Sequence, residues 1–367
     1  MKILYKITRA LVSLIALALL ALFLTVNYDA SCESPPTVAH STGNMKAISY
    51  YCYGSPDVLV YGDIEKPVAA DDEVLIKIHT AAINPLDWHY MRGSPSLMRL
   101  MSGIGKPTHT RLGADFAGTI EAVGKNVTKY KPGDQVFGGK NGAYAQYIAM
   151  GEDRALALKP ANVTFEQAAA MPIAAITALQ ALRDKGKLQA GQSVLINGAS
   201  GGVGTFTVQL AKIMGAEVTG VCSARNESMV RALGADHVID YTRENFTESD
   251  KRYDLIIDMV GNHGLLAYRQ ALKPGGRLIM VGGPSEGFFT PVISPLKSLL
   301  ISPFVSQEFI LFIAQLNAGD LAILAEYMRT GQLISMIDKS YPMADAATAV
   351  RYSEDGHARG KILLSMD

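Results

Sequence analysis

A glycine-rich loop between an apolar run and a helical pattern carries the clearest chemical signal in the sequence. The loop Asn197–Gly204 follows the apolar run Ser193–Asn197, and its small residues at 199, 201 and 204 keep the spacing of a dinucleotide-binding fingerprint. Gly201 lets the backbone approach a pyrophosphate, and Gly204 allows close packing of helix on strand. The helix N-terminus adds N–H donors. The alternative is a tight turn that binds nothing. The expected cofactor contacts are Ala199, Ser200, Gly201, Gly202, Val203 and Gly204.

The end of the next predicted strand, Glu217–Cys222, indicates which dinucleotide is bound. A site for NAD places an acid roughly 20 residues after the loop, where it holds the ribose 2′-hydroxyl. Here the position 19 residues after Gly204 is Ser223, and the residues from Cys222 to Asn226 include no acid, the next one being Glu227. Ser223 and Arg225 are able to bind a 2′-phosphate, which an acid would repel. We therefore expect NADP(H), although Arg225 also fits a solvated loop cation.

The chain on either side of this loop shows two different patterns of predicted secondary structure. From Met45 to about Asn162 short β-rich runs alternate with turns, which predicts a small, bent β-barrel. From about Ala168 strands alternate with helices, which predicts a doubly wound parallel sheet in an α/β domain. The tail returns to strand, helix and strand. We expect domains at residues 45–167, completed by 333–367, and at 168–332.

Composition narrows the classes of function. Lys and Arg together number 34, as do Asp and Glu, so the net charge of +0 argues against nucleic acid as a partner. The 49% of hydrophobic residues excludes a disordered chain. The three cysteines, Cys32, Cys52 and Cys222, include no CxxC pair, so we expect neither a structural zinc site nor a disulfide framework.

The N-terminal residues form an apolar segment that is separate from the two domains. Lys2, Lys6 and Arg9 precede an uncharged run from Ala10 to Val26, which as a helix spans about 26 Å. Residues 1–27 therefore read as a membrane anchor or a signal segment, and residues 28–44 as a linker. The positive-inside rule places the N-terminus in the cytoplasm, whereas unpaired cysteines and NADPH suit a body on the reducing side. We expect a membrane-attached protein with its side left open, or a cytoplasmic one if translation starts at Met45.

Several ordered motifs resemble the medium-chain dehydrogenase/reductase superfamily, in its quinone-oxidoreductase branch. The resemblance covers residues 45–367 and implies a GroES-like barrel domain plus a Rossmann domain, with the active site in the cleft between them. The motifs that carry it, besides the glycine loop, are Ala82–Asp87, Gly113–Gly118, Pro132–Asp134, Ile176–Ala178, Leu233–Tyr241 and Gly360–Ile362.

The resemblance also bears on metal and on chemistry. Zinc-dependent relatives carry Cys where this chain has Asn84, and His-Glu where it has Ala114-Asp115. We therefore expect no catalytic zinc. Without a Lewis acid the easier reaction is hydride delivery to an electron-poor acceptor, such as a quinone or an α,β-unsaturated carbonyl. The alternatives are a catalytically weak NADPH-binding membrane adaptor and an alcohol dehydrogenase-type activity.

By the same resemblance, individual residues are assigned to the cleft. Asn84 and Asp87 lie near it, where Asn84 is able to bond the acceptor or the nicotinamide end. Tyr90 and His89 are candidate proton donors only because they are close to Asn84 in sequence. Thr177 and Tyr241 match family cofactor contacts, Tyr241 beside the 2′-phosphate. Each also fits a purely structural role.

Two apolar inserts have open roles. They are Ser94–Gly105 and Phe288–Phe312. They fit a dimer interface or core, a wall for a small hydrophobic substrate, or a membrane contact. We expect a homodimer.

Overall fold

The computed structural model describes residues 2–33, 43–282 and 306–366, so most of the insert Phe288–Phe312 lies outside the described residues. The helices are α1 (Lys2–Val26), α2 (Pro85–Arg92), α3 (Arg99–Ser102), α4 (Phe165–Ala169), α5 (Pro172–Gln180), α6 (Gly202–Ile213), α7 (Glu227–Ala232), α8 (Leu265–Ala271), α9 (Ala318–Arg329) and α10 (Ala346–Glu354). The strands are β1 (Asn44–Ser49), β2 (Val60–Glu65), β3 (Glu73–Ile83), β4 (Asp115–Val123), β5 (Gln135–Gly139), β6 (Tyr147–Gly151), β7 (Leu156–Leu158), β8 (Ser193–Asn197), β9 (Glu217–Cys222), β10 (His237–Asp240), β11 (Tyr253–Asp258), β12 (Leu272–Met280), β13 (Glu308–Leu311), β14 (Ile337–Pro342) and β15 (Lys361–Ser365).

The expected N-terminal apolar helix is present as α1. Tyr5–Val26 is long and apolar enough to cross a membrane, with a mean hydropathy of 2.4. From Tyr5 onward most of its large apolar side chains are exposed, and Val26, in the last turn, is buried. Among the described residues, the end of the helix is therefore the part that packs against the rest of the chain.

The barrel domain is built around the long strand β3. Its seven-stranded sheet has the order β14-β15-β3-β4-β5-β7, and β6 pairs with β3 off this path. Alternate residues of β3 are apolar, and the side chains of Val74, Ile76 and Ile78 are buried in the core. The C-terminal strand β15 pairs antiparallel with the second half of β3, so the tail lies in the same sheet as the first domain.

The second domain is the expected Rossmann sheet. Its six parallel strands have the order β10-β9-β8-β11-β12-β13. This order reverses between β8 and β11, and the crevice at such a switch point is where open α/β sheets bind ligands. The expected fold class, a GroES-like domain plus a Rossmann-like parallel sheet behind an apolar helix, is confirmed.

One predicted helix differs from the structure. The small and apolar residues 168–182 predict one helix, but α4 ends at Ala169 and α5 starts at Pro172. Proline lacks the N–H that a helix interior needs, so a new helix starts there.

The expectation that the cysteines stay unpaired is wrong. Cys32 and Cys52 form a disulfide with their Cα atoms 4.9 Å apart. Their spacing carries no sign of it, because the pairing depends on how the segment after α1 lies on the barrel domain. There the Ala30 N–H donates to the Gly105 carbonyl, although residues 28–33 read as linker. Cys222 is free and buried.

Candidate active site

The glycine loop has the backbone geometry that its sequence predicts. Gly198 takes a φ of 93°, a conformation that favours glycine, and Gly201 is the N-cap of α6. A Cβ at Gly204 would meet the Gly198 carbonyl oxygen at 2.1 Å, so a side chain there would push α6 off the loop. The first N–H groups of α6, from Gly202, Val203 and Gly204, have no carbonyl of a preceding turn to bond. They form a donor set suited to a pyrophosphate.

The end of β9 places the residues expected at a 2′-phosphate next to one another. Ser223 follows β9 and is half-buried, while Arg225 is exposed and donates through Nη2 to the His357 carbonyl at 2.9 Å. The Tyr241 N–H donates to the Cys222 carbonyl at 3.2 Å, and the Tyr241 ring is exposed beside this turn. The residues that follow β9 and β10 thus meet at the carboxyl ends of these two parallel strands.

Asn226 joins this turn to the glycine loop, and sequence reasoning missed it. Its Nδ2 donates to the Ser200 hydroxyl at 3.0 Å. Its Oδ1 is buried and accepts no hydrogen bond from any described residue. Because a buried acceptor without a partner is costly, a hydroxyl donor of a bound ribose fits this position. The residues present therefore fit a phosphorylated dinucleotide.

Asn84 and Asp87 are brought together at the start of α2. Asn84 is the N-cap, and its N–H donates to Asp87 Oδ2 at 2.8 Å. Asp87 also accepts from the Tyr144 hydroxyl at 2.7 Å and the Gly113 N–H at 3.2 Å. By bonding the Asn84 N–H, the Tyr144 hydroxyl and the Gly113 N–H, Asp87 holds the turn that positions Asn84. Burial raises the pKa of Asp87 to about 6.

Two buried charges complete this cluster, and neither was among the expected site residues. Lys361 Nζ donates to Asn84 Oδ1 at 2.6 Å and lies 3.5 Å from Asp115 Oδ2. Asn84 Nδ2 donates to the same Asp115 oxygen at 3.0 Å, and the Ile173 N–H donates to the other at 3.0 Å. Burial raises the pKa of Asp115, against the opposing effect of the Lys361 ammonium. We refer to Asn84, Asp87, Asp115, Tyr144 and Lys361 as the Asn84 network.

The Asn84 network lies against the glycine loop. Gly201 and Gly360 form a parallel β-bridge, and the Gly360 N–H donates to the Ser200 carbonyl at 3.0 Å. A Cβ at Gly202 would meet Lys361 Cδ at 3.1 Å. The barrel and Rossmann domains therefore meet at the glycine loop, where the apolar stem of the buried Lys361 packs on the start of α6. Lys361 lies in the motif Gly360–Ile362 and Asp115 in the motif Gly113–Gly118. Membership of these motifs was the only feature of the sequence that could have indicated a role for either residue.

The remaining expected residues are more scattered. Tyr90 is half-buried in α2 against the barrel core, and Thr177 is buried inside α5. His89 Nδ1 lies 2.8 Å from the Ser94 carbonyl, and burial lowers the pKa of His89. A neutral His89 that donates through Nδ1 keeps Nε2 as an acceptor, so it is a poor proton donor. Nothing in these contacts joins Tyr90 to the Asn84 network.

The chemistry of the cluster does not suit zinc. Zinc binds thiolate, imidazole and carboxylate ligands, whereas Asn84 here is a carboxamide. Two carboxylates lie beside it, but Asp87 is bonded to the Asn84 N–H and to Tyr144, and Asp115 is paired with the Lys361 ammonium, which lies where a cation would have to bind. Over residues 2–33, 43–282 and 306–366, no group of three His, Cys, Asp or Glu side chains is arranged to hold a metal ion.

Comparisons with known proteins agree with this architecture. The family model for the alcohol dehydrogenase GroES-like domain matches residues 70–161, and the model described as zinc-binding dehydrogenase matches residues 233–364. The human quinone oxidoreductase is 32% identical over 87% of this chain and 97% of its own.

A plant relative and a solved structure extend the comparison. The NADPH-dependent alkenal/one oxidoreductase of Arabidopsis thaliana is 32% identical over 87% of this chain and 79% of its own. The structure of Escherichia coli quinone oxidoreductase complexed with NADPH has a TM-score of 0.75 and 25% identity, and the match covers 87% of this chain and 99% of that one.

Proposed function

Because the chain belongs to the medium-chain dehydrogenase/reductase superfamily, in its quinone oxidoreductase and alkenal reductase-like branch, we propose that it is an NADPH-dependent, zinc-independent reductase. The acceptor class is a quinone or an α,β-unsaturated carbonyl. The observation that carries the proposal is the contact between the glycine loop and the Asn84 network, through Gly202 and Lys361. It brings a dinucleotide loop and a buried polar cluster without metal ligands side by side.

The residues of the loop bind and orient the cofactor. NADPH, when bound, supplies a hydride to the acceptor. The N-terminal N–H groups of α6 hold its pyrophosphate, and Ser223 and Arg225 hold its 2′-phosphate. The relatives named for NADPH support this choice. Asn226 Oδ1 accepts from a ribose hydroxyl.

The Asn84 network lies on the barrel-domain side of the cleft. The Asn84 carboxamide is occupied by Lys361 on its oxygen and Asp115 on its nitrogen, so we assign Asn84 to positioning Lys361. Among the described residues, Asn84 and Asp115 accept from two of the three N–H donors of Lys361, and with its side chain 3% exposed the ammonium holds these two groups together at the contact between the domains. Quinones and enones are already electron-poor and need no Lewis acid to accept a hydride.

Steady-state oxidation of NADPH with a panel of quinones, enones and simple alcohols or ketones tests the proposal. We expect turnover with quinones or enones, and NADH used at least about tenfold less efficiently, since the 2′-phosphate contacts are charge-assisted. Turnover confined to simple alcohols or ketones would favour an alcohol dehydrogenase. Tight NADPH binding without turnover on any acceptor would favour the adaptor.

We further propose that α1 anchors the protein in a membrane with the body on the non-cytoplasmic side. Lys2, Lys6 and Arg9 precede the apolar segment, which the positive-inside rule places in the cytoplasm. The Cys32–Cys52 disulfide lies beyond the other end of α1, and disulfides persist in oxidising compartments. This orientation requires an oxidising compartment that contains NADPH.

A further inference from the structure

The segment that follows α1 is fixed to the barrel domain at one short helix. The buried Arg99, first residue of α3, donates through Nη1 to the Val26 carbonyl at 3.1 Å and to the Tyr28 carbonyl at 3.3 Å. The same nitrogen lies 2.8 Å from Asp29 Oδ1. A cation on the last carbonyls of a helix is a favourable C-terminal cap. The end of α1 is therefore held against α3.

Further contacts make this attachment rigid. The Tyr28 ring packs on Gly105, where an added Cβ would meet the ring at 3.0 Å. The Arg99 guanidinium lies over the Tyr53 ring, and the Tyr53 hydroxyl contacts the Ser102 hydroxyl at 2.8 Å and donates to the Gly103 carbonyl at 2.7 Å. The disulfide of the neighbouring Cys52 joins this region to Cys32. The insert and the end of the anchor thus form one unit.

The outer face of this unit is apolar. Arg99 and Ser102 point inward and are buried, whereas Leu100, Met101 and Ile104 are 54%, 86% and 50% exposed. Tyr28 lies beside them and is exposed. Together Tyr28, Leu100, Met101 and Ile104 form what we call the juxtamembrane patch. Exposed apolar side chains that are adjacent in space mark a surface meant to be covered.

We propose that the juxtamembrane patch inserts into the surface of the same bilayer that α1 crosses; this rests on the membrane attachment proposed above. The uncharged run Ala10–Val26 is about 26 Å of helix, against a hydrocarbon core of about 30 Å, so the whole run is used to cross the core. Its last turn therefore lies at the membrane interface. The patch is bonded to that turn, and Tyr28 sits where aromatic side chains favour the interface.

Charge around the patch is compatible with insertion. The acids that follow α1 are both paired with cations of the insert, Asp29 with Arg99 and Glu33 with Lys106. Neither acid is left to repel the headgroups. Because apolar burial drives the contact, insertion should depend little on anionic lipid or on salt.

Fluorescence quenching in bilayers tests the proposal on the full-length protein. Met101→Trp is compared with Val68→Trp in vesicles of phosphatidylcholine brominated along the acyl chain. Val68 is a matched control because it is 87% exposed and apolar. Val68 lies near the end of β4, because an added Cβ at Gly124 would meet the carbonyl of Ala70. The patch is linked to the other end of β4, since Arg99 bonds Gly93 at the end of α2 and the α2 N-cap Asn84 bonds Asp115, the first residue of β4. The native Trp88 is common to both variants.

We expect the Met101→Trp emission to be blue-shifted and quenched several-fold more than that of Val68→Trp. Equal quenching, with the protein still resistant to alkaline extraction, would overturn the patch but leave the anchor. Release of the protein by alkaline extraction would overturn both. If the tryptophan introduced by Met101→Trp is protected from aqueous acrylamide but is not quenched by brominated lipid, a second copy covers the patch, which also overturns the proposal.

Discussion

The Lys361 ammonium lies 2.6 Å from the carboxamide oxygen of Asn84, although 277 residues separate the two in the chain. This bond ties the first residue of β15 to the start of α2, beside the glycine loop. Lys361 is 3% exposed and Asp115 is 0% exposed, so the pair is removed from water. Removing one partner of such a buried pair is costly in free energy, because the other charge is left buried and unpaired.

Removing Lys361 should therefore destabilise the fold. We expect Lys361→Met to lower the free energy of unfolding by about 3 kcal/mol, because Asp115 is left charged and unpaired. The double variant Lys361→Met/Asp115→Asn should recover at least about 1 kcal/mol of the loss. Urea denaturation of the wild type, both single variants and the double variant measures the coupling. Additive losses would mean that the pair does not act as a unit.

Removing Arg225 should weaken NADPH more than NADH. Arg225→Ala deletes a charge-assisted contact worth about 1.5–3 kcal/mol when well made, which is roughly a 10–100-fold change in the dissociation constant. NADH affinity should stay unchanged. Arg329→Ala serves as control, since Arg329 is an exposed cation paired within α9 to Glu326. Titration calorimetry gives both affinities, and equal wild-type binding of the two cofactors would contradict the assignment.

The features that could be predicted from the sequence are local or ordered along the chain. The glycine loop, β8, α6 and β9 follow one another, and Gly198 together with the small residues at 199, 201 and 204 determines the turn. The Asn84 network could not be predicted as a network, because its members come from α2, β4, β15 and the loop before β6. The Cys32–Cys52 bond similarly depends on the docking of residues 26–33 onto α3. Both arise from tertiary contacts between distant segments, and the local sequence of each segment does not indicate which other segment it will contact.

The pKa of Asp87 predicts a pH-dependent contribution to stability. Burial raises it from 3.8 to about 6, so the folded state binds this proton more tightly than the unfolded state does. The stabilisation is fully present below about pH 4 and is lost as the pH rises through about 6, by about 2–3 kcal/mol in total. Asp87→Asn lacks this slope, so its stability relative to wild type should rise between about pH 4 and pH 7.

Denaturation of both proteins across this range measures the difference. Asp57→Asn is a control with the opposite sign. The Ser55 hydroxyl and then Arg351 lower the pKa of Asp57, so its stabilisation is present above its ordinary pKa and is lost as the pH falls. A pH-independent difference between wild type and Asp87→Asn would show that folding does not shift the pKa of Asp87.

Activity should not depend on zinc. The Asn84 network contains two carboxylates, one of them paired with an ammonium, whereas a zinc site needs three or four anionic or imidazole ligands. The purified full-length protein should therefore contain no stoichiometric zinc and keep its NADPH oxidation in a chelator. Elemental analysis and turnover before and after chelation measure both. One zinc per chain, with activity lost on chelation, would overturn the ligand argument.

The disulfide makes the membrane side testable. If the body lies in an oxidising compartment, protein denatured directly from its native membrane in an alkylating reagent should carry one modified thiol, that of Cys222. Burial raises the pKa of Cys222 to about 11, so the folded protein should resist even this modification. Reduction before alkylation should raise the number to three, by freeing Cys32 and Cys52. Mass spectrometry counts the adducts.

Protease protection is a second test of the orientation. In sealed vesicles that retain the native orientation, protease added outside should digest the body only if the non-cytoplasmic face is outward. Three modified thiols without a reductant, or digestion from the cytoplasmic face, would place the body in the cytoplasm and reject the proposed orientation.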